Sequence, residues 1–133
     1  MNAKLLMMTS SAILAVGGLT ALFAPHELAA ALGAPIAGSG VPIQLLGSAY
    51  FASAIANWTG KDKPIGGIYS RPLSLGNFVH FSIGALVLLN GAVDGSASAA
   101  LVTACAVYAA LAAAFARLAF GGSAAAAGAG ADR

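Results

Sequence analysis

Residues 71–91 read RPLSLGNFVHFSIGALVLLNG, and this stretch decides the fold. Pro72 fixes its own φ and lacks an N–H, which suits the first turn of a helix. Ser70 stands where an N-cap is expected. Across residues 73–89 everything is apolar or small apart from Ser74, Asn77, His80 and Ser82. About 20 apolar residues at a rise of 1.5 Å cross a hydrocarbon core of roughly 30 Å, so the stretch predicts a membrane-spanning helix. His80 then lies about 12 Å along that helix from Pro72, near mid-depth.

Helical spacing gathers the polar and small residues of this helix on one side. Gly76 and Asn77 precede His80 by one turn, and Gly84 follows by one turn; Ser74 and Gly91 extend the same side. Phe78 and Ile83 fall off that stripe and suit lipid. Gly76 and Gly84 carry no side chain, so a helix or a ligand has room to approach around His80. An ionisable residue inside a membrane is a functional-site hypothesis by default. The competing reading is a neutral histidine bonded to a neighbouring helix, with Asn77 assisting. The sequence leaves both open.

Composition points the same way. The chain has 133 residues, enough for one domain, and only 8% are charged, against about 25% in an average soluble protein. Hydrophobic residues make up 59%, and the mean hydropathy is +0.88. So few charges do not cover the surface of a water-soluble domain; lipid is the expected solvent. The formal net charge is +2, but no basic stripe with interleaved aromatics is present, so nucleic acid is not an expected partner. The single Cys105 excludes an intramolecular disulfide and a multi-cysteine metal site, and reads as a buried structural thiol.

Outward from the histidine helix, three more spans are expected. Residues 5–24 form an apolar run ending at Pro25. Its Gly17 and Ala21 make a small-xxx-small step, and Ser11, Ala15 and Gly18 line a nearby face. The run is long for the apolar region of a signal peptide, so an uncleaved first span is expected. HELAAALG after Pro25 predicts a short interfacial helix closed by Gly33 and Pro35, with His26 and Glu27 at headgroup level. Residues 41–58 form the second span. Its Tyr50, Ser53 and Asn57 recur at steps of three and four, so they share a face fit to meet that of His80. Trp58 suits the interfacial aromatic belt. Asn57-Trp58-Thr59 matches a glycosylation sequon by chance, since it abuts the membrane on the expected cytoplasmic side. The loop TGKDKPIGGIYSR carries Lys61, Asp62, Lys63 and Arg71, with Pro64, Gly66 and Gly67 as turn formers and Tyr69 as an interfacial anchor. It lacks phosphate-loop spacing and reads as a topology-setting loop near anionic headgroups. Residues 98–120 form an alanine-dominated fourth span, and residues 121–133, GGSAAAAGAGADR, a flexible tail.

The basic residues set the orientation. With four spans, Lys4, Lys61, Lys63, Arg71, Arg117 and Arg133 fall on one side, and Glu27 and Asp94 on the other. The positive-inside rule then puts both termini in the cytoplasm. A three-span chain would split the basic residues between faces. The expected fold is therefore all-α: a four-helix transmembrane bundle, N-in/C-in.

Catalytic signatures are absent: no HExxH, no GxSxG with partners, and no Asp or Glu within a span. No enzyme activity or cofactor is assigned. Bis-histidine haem ligation within one chain would pair His26 with His80, which this topology separates by roughly 15 Å along the membrane normal. A His80 pair across a homodimer, or a quinone or lipid pocket near His80, Asn77 and Tyr50, survives that test.

The layout of residues 1–120, with LFAPHELAAALG closing the first span and GGIYSRPLSLGNFVHFSIGAL entering the third, resembles the small, poorly defined bacterial four-helix proteins described as DoxX-like. That resemblance implies a multi-pass inner-membrane protein, in some cases an accessory subunit, and carries over no functional residue. The leading expectation is a non-catalytic accessory or assembly subunit, with the bilayer and a homo-oligomer or larger membrane complex as partners. The alternatives are a small transporter or channel using His80, and a haem- or quinone-linked redox subunit. In each, the candidate polar cluster is His80, Asn77, Tyr50, Ser53 and Asn57.

Overall fold

The computed structural model describes residues 2–62, 70–94 and 97–129. Among them the chain is all-helical, with five helices and no strand: α1 (Ala3–Phe23), α2 (Pro25–Ala31), α3 (Val41–Gly60), α4 (Ser70–Val93) and α5 (Ala99–Ala129). Lys63, Pro64, Gly66, Gly67, Tyr69 and Arg133 lie outside the described residues.

Local chemistry explains the helix ends. The Asn2 side chain accepts from the N–H groups of Lys4 and Leu5 at 3.1 and 3.4 Å, capping α1. Pro25 closes α1 and opens α2 at its first position, with Glu27 in the first turn where the helix dipole favours an acid. Gly33 follows α2 at φ 80°, a left-handed conformation that suits glycine. The short interfacial helix expected from HELAAALG is thus present. At the far end, α5 runs past Phe120, the expected end of the fourth span, to Ala129. Alanine has the highest helix propensity of any residue, and no proline interrupts the run.

Among the described residues, three helices are long and apolar enough to cross a membrane, those spanning residues 3–23, 71–93 and 99–120. The 20-residue α3 matches them in length. It is less apolar, because Pro42, Gln44, Ser48, Ser53 and Asn57 dilute its hydropathy.

The helices pack in two antiparallel pairs, α1 with α3 and α4 with α5, and the pairs touch each other less. The α1/α3 seam is built from small residues. A Cβ at Gly18 would meet the Gly47 carbonyl oxygen at 2.8 Å, and one at Gly47 would meet the Gly18 carbonyl oxygen at 2.8 Å. Backbones approach this closely only where both side chains are absent. The seam on α1 runs through Ser11, Leu14, Gly18 and Ala21, all buried. Gly18 rather than Gly17 therefore makes the crossing; Gly17 faces the Tyr50 ring. Ser11 Oγ donates to the Ala54 carbonyl at 2.7 Å, and Gln44 Nε2 to the Leu22 carbonyl at 3.0 Å.

In the α4/α5 pair, Phe81 and Phe115 stack at 5.7 Å between centroids, and both are fully buried. Phe78 does not simply face lipid. It is half-buried, edge-on to Phe120 at 5.4 Å. Ile83 is 57% exposed, as expected for a lipid-facing residue. Leu6, Met7, Leu14 and Ala54 from one pair meet Phe81, Leu111 and Phe115 from the other to form the core. Cys105 is half-buried, with Sγ at 3.6 Å from the Ala85 carbonyl.

Both ends of the bundle carry polar ties. Ser98 Oγ donates to the Ala31 carbonyl at 2.8 Å, joining the end of α2 to the start of α5. At the opposite end, Lys4 pairs with Asp62 at 2.6 Å, and Lys61 lies at 3.5 Å from the same carboxylate. Lys61 Nζ also sits 4.1 Å from the centre of the Trp58 ring. The hydrogen bond from Lys4, joined by the charges of both lysines, holds the Asp62 carboxyl below its ordinary pKa against the opposing effect of desolvation. A depressed carboxyl contributes stability above its unfolded pKa and loses it as pH falls through the folded value. The tie is solvent-exposed, so salt screens it. Asp62→Asn is expected to leave thermal stability nearly unchanged at neutral pH. The small remaining difference should vanish below the ordinary carboxylate range and in molar salt, as melting curves across pH and salt would show.

Candidate functional site

Two asparagine side chains link the two helix pairs. Asn57, 1% exposed on α3, and Asn77, 5% exposed on α4, exchange a reciprocal pair of amide bonds. Asn57 Nδ2 donates to Asn77 Oδ1 at 2.9 Å, and Asn77 Nδ2 donates to Asn57 Oδ1 at 2.6 Å. The second proton of Asn57 Nδ2 goes to Ser10 Oγ of α1 at 3.0 Å, and that hydroxyl donates to the Met7 carbonyl at 3.0 Å. The second proton of Asn77 Nδ2 goes to the Leu73 carbonyl at 2.9 Å. In a setting where unpaired polar groups are costly, all four amide protons are therefore used.

One turn deeper, His80 sits among rings. Tyr50 meets it edge-on at 5.1 Å between centroids, Phe81 at 5.0 Å, and Tyr108 lies tilted at 5.7 Å. The phenol groups of Tyr50 and Tyr108 lie close enough to interact. Tyr108 reaches this position because Gly84 leaves space for it: a Cβ there would lie 2.5 Å from the tyrosine ring. Among the described residues, His80 Nε2 is the buried side-chain polar atom left without a hydrogen-bond partner.

A cleft of about 230 Å³ opens between α3 and α4, lined by Ser53, Ala56, Asn57, Pro72, Leu73, Gly76, Asn77 and His80. It runs from the first turn of α4 to the mid-helix histidine. Gly76 borders open space, with nothing within 4 Å of a Cβ placed there. The two glycines that flank His80 thus serve different ends: Gly84 receives a helix, and Gly76 keeps the cleft open. A second, larger cavity of about 780 Å³ lies between α1, α2 and α5. Its walls are apolar, and Tyr108 forms part of them, backing onto His80.

The structure brings together all five residues of the expected polar cluster. Asn57, Asn77, Ser53 and His80 line one cleft, and the Tyr50 ring packs on His80. The Ser53 hydroxyl donates within its own helix, to the Ala49 carbonyl at 2.8 Å. Sequence reasoning missed Ser10 and did not place Tyr108 at the site. Gly84, one turn from His80, carried the signal for a ring opposite. His26 is exposed on α2 and does not line the His80 cleft. Among the described residues no three His, Cys, Asp or Glu side chains converge as a metal site would require. Compared with known proteins, the chain matches no family model, no curated protein and no solved structure.

Proposed function

We propose that the chain is a four-span protein of the bacterial inner (plasma) membrane, N-in/C-in, which serves as a non-catalytic accessory subunit and holds a small ligand in the α3/α4 cleft. The observation that carries this reading is the shape of the cleft. It begins at the first turn of α4 and reaches His80, where Tyr50, Phe81 and Tyr108 crowd the ring, and it sets Ser53, Asn57 and Asn77 among otherwise apolar walls. The crowding also argues against a haem on His80 shared across a dimer, because Nε2 is enclosed by its own chain.

Support for α3 as the fourth span comes from its partner. It runs antiparallel to α1 along its length, with the Lys4–Asp62 pair at one end and the Gln44–Leu22 bond near the other. If α1 crosses the bilayer, α3 crosses beside it, its polar side chains turned to α1 and α4. Lys4 and Lys61 then share an end with the start of α4 at Arg71, as the positive-inside rule asks. The likeness to DoxX-like proteins fits an accessory role.

Native mass spectrometry of the protein, gently released from its own membrane, tests the reading. The expected result is the chain carrying a stoichiometric small molecule or a partner subunit, with the small molecule lost in His80→Ala. A bare chain with neither would overturn it.

A further inference from the structure

Hydrogen-bond bookkeeping in the cleft narrows what it accepts, on the reading that the cleft holds a ligand. Both amide protons of Asn57 and both of Asn77 are bound within the protein, and the Ser53 hydroxyl proton goes to Ala49. Pro72 has no N–H to offer. The acceptors are a different matter. Each asparagine oxygen accepts one bond from the opposite amide, although a carbonyl-type oxygen has two lone pairs. Ser53 Oγ also keeps acceptor capacity. A neutral imidazole contributes one acceptor nitrogen and one N–H. The lining is thus rich in open acceptors, and its one uncommitted side-chain donor is the His80 ring.

Charge narrows the class further. The eight lining residues include no Asp, Glu, Lys or Arg. An anionic head would find at most one donor, and a cationic head no counter-charge. At about 230 Å³ the cleft is smaller than the roughly 300–1,000 Å³ typical of sites that enclose a whole drug-sized ligand. It accommodates a head rather than a whole amphiphile. The body has somewhere to go: beside the cleft on the same two helices, Ala52, Ala56 and Val79 are exposed and apolar.

We propose that the α3/α4 cleft binds the head of a neutral, hydroxyl-bearing amphiphile, which donates to Ser53 Oγ, Asn77 Oδ1 or the His80 imidazole and leaves its apolar body against the lipid-facing side of α3 and α4. A ketone head, which only accepts, can use the single His80 donor and nothing else.

The chain has two histidines, and only His80 lines the cleft, so imidazole ¹⁵N NMR reads the site directly and His26 serves as an internal control. The full-length protein in phosphatidylcholine nanodiscs is titrated separately with dodecanol, with the methyl ketone of equal chain length and with dodecyl phosphate. The expected result is a saturable shift of the His80 signals by dodecanol, with the ketone and the phosphate each at least tenfold weaker and His26 unmoved. Gly76→Leu, whose added Cβ meets nothing within 4 Å, should abolish the shift while leaving the melting temperature in place. A ketone or phosphate that binds as tightly as the alcohol overturns the hydroxyl class but leaves a binding cleft standing. No saturable shift with any head removes the proposal. The search for a co-purified mass then judges the binding reading separately. Saturable binding that survives Gly76→Leu places the ligand elsewhere and equally overturns the proposal.

Discussion

Gly47→Leu is expected to cost about 3 kcal/mol, at the upper end of the range for overpacking a close contact. The reason lies in what the first added atom meets. A Cβ at this position falls 2.8 Å from the Gly18 carbonyl oxygen, 2.9 Å from the Ala21 Cβ and 3.0 Å from the Leu22 amide nitrogen. Two of those neighbours are backbone, so no side chain can swing aside; α1 and α3 must move apart. Separation loosens the Ser11–Ala54 and Gln44–Leu22 bonds that hold the same seam. Lipid supplies no hydrophobic compensation for a seam opened inside a bilayer, because acyl chains are as apolar as leucine. Gly18→Leu meets the Gly47 oxygen and the Phe51 amide nitrogen at 2.8 and 2.9 Å and should behave alike. Gly76→Leu is the matched control, with nothing within 4 Å. Unfolding in a graded detergent series would separate the three. A Gly47→Leu protein as stable as the control would mean that the helices do not cross at this distance.

Much of this architecture is legible in the sequence because lipid imposes simple rules. A long run with few charges must satisfy its backbone internally, and a helix is the economical way to do so. That logic predicts helices over the apolar runs and a break at Pro25. The Asn57–Asn77 contact is legible for a related reason: amides inside a membrane need partners, and helical spacing puts each on a face with its neighbours. What the pattern does not resolve is which of two adjacent small residues makes a crossing. Gly17 and Gly18 are 100° apart on α1 and both belong to small-residue series. Only the position of α3 selects Gly18. Ser10 was hidden behind Ser11 in the same way: one caps the Asn57 amide and the other bonds the Ala54 carbonyl, and no periodicity distinguishes them. The end of α5 lies beyond the expected end of the fourth span for a different reason. Low complexity suggests a loose tail, but an alanine-rich low-complexity segment is also a strong helix former.

Asn57→Leu is the second substitution expected to act strongly, and the sign of its partner's effect makes it informative. The change removes three bonds at once, leaving Ser10 Oγ without its donor, Asn77 Oδ1 without its donor, and one Asn77 proton without its acceptor. Orphaning a buried polar group costs about 1–3 kcal/mol in water-soluble proteins. Interhelical hydrogen bonds in membranes average nearer 0.6 kcal/mol, with a maximum of about 1.7, because the separated helices find other partners. Asn57 is only 1% exposed and its network is closed, so a loss of about 2 kcal/mol is expected. Adding Asn77→Leu should then restore part of that loss rather than deepen it, since a leucine pair leaves no amide unsatisfied at the α3/α4 contact. A double-mutant cycle read by detergent unfolding gives the coupling directly. Additive penalties would mean that the two amides do not bond each other. A double variant as stable as the wild type would say more. The amide pair would then be dispensable for stability, and its retention between two helices that otherwise pack loosely would have to be explained by the cleft it lines.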